Sequence, residues 1–269
     1  MTLHVEAPSA LAPDPLREFE LRHGRYRLRF AGSAADVDRA LALRFEVFNR
    51  ELGEGLAESW LTGRDRDEFD AHCEHLLVED ARSGELAGTY RMQTAARAAA
   101  GRGFYSAREF ALEALPAGVL DASVELGRAC VAAPHRGGRA LLALWRGIAE
   151  YVRITRQRYL FGCCSLTSRS AAEGWALHAE LVRRGALVPA TAIPARAAYR
   201  CAREPGDARV AAPAAPPLFD MYLRAGARIV SEPAVDREFG TVDFLVLLDL
   251  LALPDGGIAR ALAGEAAAR

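Results

Sequence analysis

Apolar and polar positions alternate at 26–30, and strand-like runs at 76–79 and 86–92 flank a Ser83, Gly84 turn, which predicts a first strand and then a hairpin. Helical spacing governs 33–52, where Val37, Leu41, Phe45, Phe48 and Leu52 share one side. Ser33 with Asp36 three positions on resembles a capping box, and Gly53 is placed to end this helix. Arg44 falls beside Leu41 and Phe48, so a cation borders the apolar face. The segment 55–72 is polar, with Asp65, Asp67, Glu68 and Asp70 close together, and 95–103 is small and basic; both read as loops. A short helix is expected within 104–115.

The most informative stretch is 123–156. A strand at 124–131 sets Glu125 and Arg128 among apolar residues and leads into a turn, Pro134 to Ala140, rich in glycine and arginine. A long amphipathic helix follows, with Leu141, Leu144, Trp145, Ile148 and Val152 on one side. Strict alternation puts Glu125 and Arg128 on opposite faces of the strand; Gly127 between them is a plausible bulge, and a bulge would reverse that parity. Beyond lie a nearly unbroken apolar strand at 159–165, a helix at 171–184 stopped by Gly185, and a Pro/Ala-rich connector at 205–217. A helix at 218–225, a short strand at 227–230 and a strong strand at 241–248 complete the pattern. The mixture predicts an α/β fold with a mixed sheet. The division expected is a flexible segment 1–22, one domain 23–253, and a tail 254–269.

Composition narrows the chemistry. A net charge of −1 over 269 residues argues against nucleic-acid binding by charge. The chain contains no lysine, so no lysine can serve as Schiff base or general base. Five cysteines, Cys73, Cys130, Cys163, Cys164 and Cys201, fit no zinc spacing and read as reduced thiols; no metal site is expected. The start lacks a basic segment followed by an apolar run, and the most apolar stretch, 244–253, is interrupted by Asp249, so a cytoplasmic protein is expected.

The turn after the central strand has the make-up of a phosphate cradle. The first N–H groups of a helix lack partners and its dipole favours an anion, while Arg136 and Arg139 add full charges. His135, Arg136, Gly137, Gly138, Arg139 and Ala140 are the candidates there. His75 and Asp80 copy a glycerolipid acyltransferase spacing, but five residues apart on a strand they point to opposite faces, so the match is read as chance.

These stretches, taken in order, resemble the ornithine-lipid-forming N-acyltransferases, an acyl-carrier-protein-using branch of the GNAT superfamily. The likeness runs through Leu43, Arg44, Phe45 and Phe48; Asp67, Asp70 and His75; Gly88 to Arg91; Gly103 to Ser106; Glu125 to Arg128; Tyr159 to Cys163; and Asp236 to Phe244. The frame also resembles the acyl-homoserine-lactone synthases at Arg44, Phe48, Asp67, Asp70, Arg91, Glu125 and Arg128, although that family usually lacks the long tail through Phe244. His135 departs from the usual Gln or Arg at the head of the turn, and Cys164 stands where the family more often has a small residue.

The resemblance implies a GNAT fold and transfer of a 3-hydroxyacyl group from the phosphopantetheine of acyl carrier protein, or from CoA, to the α-amine of ornithine or another amino acid. No bound cofactor is implied. Glu125 would be the base and Arg128 a second catalytic group, with backbone N–H groups near Cys130, Val131 and Ala132 facing the oxyanion. Arg44, Arg91 or Arg128 would meet the substrate carboxylate, and Asp67 and Asp70 its side-chain ammonium. Phe48, Cys130 and Val131 would complete the substrate wall, and 135–140 would hold the phosphate. A lipid product makes peripheral contact with the inner membrane face an expectation. The alternatives are a small acetyltransferase using acetyl-CoA and a silent module that binds acyl carrier protein.

Overall fold

Burial follows alternation closely in the computed structural model, which describes residues 14–187, 192–203 and 209–253. The strand β3 (Glu74–Asp80) is buried along its whole length because both of its faces are covered. Its Leu76 and Val78 pack with Ala143, Leu144, Trp145 and Ile148 of helix α4 (Arg139–Thr155). Its Leu77 packs with Val37 and Ala40 of helix α1 (Ala34–Phe45) on the other side. Two helices thus sandwich the first half of a sheet, and side chains reach the α1 face or the α4 face by parity alone.

Among the described residues the sheet has nine strands. Besides β3 these are β1 (Glu20–His23), β2 (Tyr26–Phe30), β4 (Leu86–Thr94), β5 (Ser123–Val131), β6 (Tyr159–Leu166), β7 (Arg228–Ile229), β8 (Ala234–Asp236) and β9 (Thr241–Asp249). Their order is β1-β2-β3-β4-β5-β6-β9-β7, with β8 also on β9. Only β5 and β6 pair in parallel, joined by the α4 crossover; the remaining ladders are antiparallel. Shorter helices, α2 (Ser59–Thr62), α3 (Ala95–Ala100), α5 (Ala171–Arg183) and α6 (Pro217–Arg224), fill the periphery.

Two irregularities shape the middle of the sheet. The β5–β6 ladder stops at the pair Glu125 and Phe161, although both strands run on, so they diverge like the arms of a V. At the apex a Cβ on Gly162 would lie 2.1 Å from the Leu126 carbonyl oxygen, so only glycine allows the backbones to approach this closely. Between β4 and β5 the register shifts: Arg91 faces Gly127 and Thr89 faces Cys130, leaving Arg128 and Ala129 opposite Tyr90 alone. Arg128 sits at φ 53°, a left-handed conformation that is uncommon for arginine. The bulge expected at Gly127 therefore falls one position later.

Several boundaries differ from the expectations. The helix expected to reach Leu52 ends its α-turns at Phe45 and winds on as a π-turn, Glu46–Glu51. Strands β1 and β8 carried too few alternating residues to be read, and β1 lies inside the segment expected to be flexible. The basic loop at 95–103 contains α3, capped by Thr94, and the helix expected at 104–115 is instead two 3-10 turns, Tyr105–Arg108 and Leu112–Ala114. Residues 1–13, part of the 205–217 connector, and the tail 254–269 lie outside the described residues. Among the described residues no helix is long and apolar enough to cross a membrane.

Candidate active site

The divergence of β5 and β6 opens a cavity of about 630 Å³. Its walls separate into chemically distinct parts. One arm is apolar, formed by Tyr90, Leu126, Leu144, Cys164, Phe219 and Tyr222 on the α4 and α6 side. Another is polar, with Glu54, Tyr105, Ser106, Ser165, Thr167 and Asp243. Glu125, Arg91 and Arg128 line the wall between them, and Val131, Arg136 and Leu141 border the part nearest the start of α4.

Glu125 is 5 % exposed and stands at the apex of the V. Its Oε2 accepts from Gln93 Nε2 at 2.7 Å and from the Tyr105 N–H at 2.9 Å, while its Oε1 accepts from the Ser106 N–H at 2.7 Å. Arg128 is not among its partners. Gln93 reaches Glu125 as its cross-strand partner, whereas the two N–H donors come from the 3-10 turn at Tyr105 and were invisible to spacing.

The bulge sends Arg128 to the α1 face instead. There it lies 3.3 Å from Asp65 and 3.2 Å from Asp67, between the rings of Phe239 (4.3 Å) and Tyr105 (5.0 Å). Arg44, 1 % exposed, donates from Nε to Asp65 at 2.7 Å and from Nη1 to Asp70 at 2.6 Å. Arg91 donates from Nη1 to Asp67 at 2.5 Å and to Asp70 at 2.9 Å. Three arginines and three aspartates thus neutralise one another inside the protein. Burial alone would raise the Asp67 and Asp70 carboxyls, but Arg91 and Arg128 around the first, and Arg44 and Arg91 around the second, hold both below the usual range.

Arg44, Asp67 and Asp70, expected to meet the substrate, are paired within this network and are not among the residues that line the cavity. Asp65, buried completely at the centre, belongs to the set; only its place in an acidic run hinted at it. Phe48 packs edge-on against Phe239 at 5.5 Å and joins Val47 and Cys130 in a small apolar cluster on the cavity wall. Burial pushes the Cys130 thiol up to about 12, which leaves it protonated and unsuited to nucleophilic attack. His75 donates from Nε2 to the Asp70 carbonyl at 3.0 Å, and Asp80 pairs with Arg25, so those two residues have separate partners.

Of the oxyanion candidates, the Ala132 N–H is bonded to the Ala87 carbonyl at 2.9 Å. Antiparallel alternation then directs the neighbouring Val131 groups away from β4, toward the divergence. Arg136 Nε donates to the Val131 carbonyl there at 3.0 Å, and its other end meets Glu51. In the turn, Gly138 at φ 86° starts α4 without a side-chain cap, and Gly137 and Gly138 face open space. Leu142 donates back to the Gly138 carbonyl, while the N–H groups of Arg139, Ala140 and Leu141 precede the first helical bonds. His135 departs from its expected place. Its ring is 8 % exposed, with Nδ1 3.2 Å from the Tyr26 hydroxyl, and so packs beneath the turn. The Ala140 side chain is also fully buried, leaving only its backbone for a ligand.

Four acids not expected as site residues stand at the polar arm, Glu54 and Asp243 on the cavity wall and Glu109 and Asp236 behind it, each less than a tenth exposed; Asp236 and Asp243 belong to the 236–244 stretch. Asp236 is well satisfied, accepting from the N–H groups of Glu238 and Phe239 at 2.9 Å and from the Tyr105 hydroxyl at 3.1 Å. Glu109 and Asp243 are not; neither oxygen of Glu109, nor Oδ1 of Asp243, meets a donor among the described residues. Burial pushes both carboxyls above their ordinary range; Asp243 and Asp236 add to the rise of Glu109, and Asp236 adds to that of Asp243 against the opposing pull of Ser165, Glu109 and Thr241. Burial also raises Glu54. Ligand atoms of Glu109, Cys163 and Asp243 lie within 4.8 Å of one another, the group among the described residues that comes nearest a metal-holding set. Cys163 is a protonated thiol donating to Ser106, however, and not a ready metal ligand.

Comparison with known proteins places this arrangement. Residues 43–146 match the acetyltransferase (GNAT) domain model. The chain is 34 % identical over 244 residues to the L-ornithine N(alpha)-acyltransferase of Rhodobacter capsulatus, covering 86 % of this chain and 92 % of that protein. It is 33 % identical over 243 residues to the enzyme of the same name from Brucella abortus, covering 85 % and 86 %. Among solved structures, the AHL synthase LasI aligns over 89 % of this chain and 95 % of its own, at 12 % identity and a TM-score of 0.48. With that identity sustained along nearly the full length of its relatives, and the GNAT segment spanning the π-turn, the β3–β4 hairpin, the divergent strand β5 and the turn after it, the chain belongs to the L-ornithine N(alpha)-acyltransferase family.

Proposed function

We propose that this protein transfers a fatty acyl group from a phosphopantetheine thioester to the α-amine of ornithine. The observation that carries the reading is the cavity at the divergence of β5 and β6, in which an apolar arm and a polar, charged arm meet beside Glu125. A long acyl chain needs the first and an amino acid needs the second. The thioester carbonyl is placed between them, with the Val131 N–H toward its oxygen.

The open turn at Gly137, Gly138 and Arg139, with the unpaired helix N–H groups behind it, receives the phosphate. Arg136 shapes that mouth through Val131 and Glu51, and His135 supports the turn from below. Arg128 and Arg91, the two network arginines that line the cavity, receive the substrate carboxylate. Glu125 accepts the proton of the α-amine. Three donors already occupy its oxygens, so the transfer runs through a water at its remaining lone pair. The free amine attacks the thioester carbon, the tetrahedral oxyanion collapses, and the carrier thiol leaves with a proton.

The Arg136 and Arg139 turn suits an anionic donor, and acidic acyl carrier protein is the one proposed. The exposed side chains of Leu52, Trp60 and Leu61 support a peripheral membrane contact for a lipid product.

The test is a mass-detected thiol-release assay. It pairs the protein with 3-hydroxyacyl carrier protein, acyl-CoA and acetyl-CoA against a panel of amino acids. Ornithine-dependent release with an N-acyl-ornithine mass is the expected result. Turnover restricted to acetyl-CoA would replace the reading with a small acetyltransferase, and silence with every donor would leave a binding module.

A further inference from the structure

We propose that Glu109 and Asp243 form the seat for the side-chain ammonium of the amino-acid substrate and thereby set the preference for a diamino acid. The inference deepens the acyl-transfer reading above and rests on it.

Among the described residues other buried carboxylates have partners. Asp65, Asp67 and Asp70 are held by three arginines, Glu125 by three N–H donors, and Asp236 by two N–H groups and a hydroxyl. Glu109 and Asp243 break the pattern. They are 0 % and 3 % exposed, and oxygens of both lack a donor among the described residues. An unpartnered carboxylate removed from water is costly, so such a pair calls for a proton or a cation.

Among the described residues the neighbours of this pair are hydroxyls, acids and a thiol, with Ser165 and Thr241 facing Asp243. From β8 comes Asp236, from the π-turn loop Glu54, from β6 the thiol of Cys163, and from the 3-10 turn the Tyr105 ring. Arg128 is the cation that bears on Glu109 and Glu54, and its guanidinium lies against Asp65 and Asp67. The polar arm therefore keeps an excess of acids. It communicates with the cavity because Asp243 and Glu54 line it, and Glu109 stands behind Asp243.

Geometry suits a primary ammonium. Its N–H bonds to carboxylate oxygens run to about 2.8 Å, so one nitrogen can bridge oxygens up to about 5 Å apart. Ligand atoms of Glu109, Cys163 and Asp243 fall within 4.8 Å of one another. The pair is anchored rather than floppy. Phe110, next to Glu109, is fully buried against Phe161 and Leu245 in a separate apolar cluster, and the Glu109 N–H bonds the Ser106 carbonyl. Ser106 also donates to Glu125, so one short turn fixes both the reacting end and the recognition end of the substrate. In the empty site a shared proton satisfies the two acids. Arrival of the ammonium releases that proton to solvent and puts N–H donors in its place.

The experiment compares ornithine with norvaline, the same chain without the terminal amine, and with citrulline, its neutral urea counterpart, using the wild-type protein and Asp243→Asn and Glu109→Gln. The wild type is expected to favour ornithine over both by roughly a hundredfold or more in kcat/KM, because a site built for a charge is left unpaired by a neutral chain. The variants are expected to collapse that ratio to within about fivefold, mainly through the KM for ornithine, while norvaline turnover is retained or improved. Retained norvaline turnover also shows that a variant is folded. Equal use of norvaline or citrulline by the wild type overturns the proposal whatever the variants do. So does an unchanged ratio in folded variants. Failure to acylate any amino acid would instead fall on the acyl-transfer reading itself.

Discussion

Arg44 and Asp70 face each other in the interior, Nη1 to Oδ1 at 2.6 Å and Nη2 to Oδ2 at 3.4 Å. The pair spans from α1 to the loop that precedes β3, and through Asp65 and Arg91 it reaches β4 and β5. Removing Arg44 leaves Asp65 and Asp70 short of a buried partner. Arg44→Met is therefore expected to destabilise the protein by about 3–5 kcal/mol, while Arg44→Lys recovers only part because a single ammonium cannot engage both aspartates. Urea unfolding of the two variants checks this. A loss under about 1 kcal/mol for Arg44→Met would show that the network contributes little to folding.

Glu125→Gln retains the shape of the side chain and removes its basicity. The expected result is a kcat at least about a hundredfold lower, with donor binding preserved. The amide also turns an NH₂ toward N–H donors that sought an oxygen, so some stability falls with it. Steady-state kinetics with the thermal midpoint alongside separates the two effects. Near-normal turnover would remove Glu125 as the proton acceptor.

The turn at the start of α4 is expected to recognise charge. Arg139→Ala should raise the KM for an acyl carrier protein donor several-fold at low ionic strength, with the difference fading as salt is added. Arg136→Ala should do more, because this arginine also holds the Val131 carbonyl and Glu51. Titrating donor at several salt concentrations is the measurement. A salt-independent effect would count against an acidic carrier at this surface.

His75 gives the acid limb of stability a specific origin. Burial lowers its imidazole to about 4 from an ordinary 6.5, so between these values the unfolded chain binds the proton and the native protein does not. Stability therefore falls as pH drops from about 6.5 toward 4, by an amount on the order of 3 kcal/mol in the limit. Glu79, lowered by Arg29, Arg39 and Arg27 to about 2 despite its burial, adds a loss of the same sign below its ordinary 4.5. His75→Gln can still donate to the Asp70 carbonyl but does not titrate. Its stability should be flat across the upper window, measured by denaturant unfolding at half-unit pH steps, and an unchanged slope would assign that limb elsewhere.

Periodicity carried the sheet, α1, α4 and the glycine turn, because long amphipathic segments declare both their type and their buried side. It also marked Glu125, Arg91 and Arg128 as charged residues in apolar strands. The partners of those charges were another matter. Whether Arg44 and Asp70 meet each other or a ligand depends on how a loop folds over α1, which no spacing records. Glu109 and Asp243 are 134 positions apart and come together only through the 3-10 turns and the β6–β9 pairing. His135 looked like a turn residue by position, yet the Tyr26 hydroxyl across the sheet decides where its ring goes.

The extra residue of β5 also acts as a counter. Arg128 and Ala129 together stand against Tyr90, so Cys130 meets Thr89 although Glu125 meets Gln93. Deleting Ala129 would change no side chain that lines the acidic arm and would leave the apolar core composition nearly intact. It would nevertheless let β5 pair regularly with β4, setting Arg128 alone opposite Tyr90 on the α4 side and drawing its guanidinium away from Asp65 and Asp67, while Cys130 and Val131 keep their faces. At this position length, more than identity, decides which way the arginine turns.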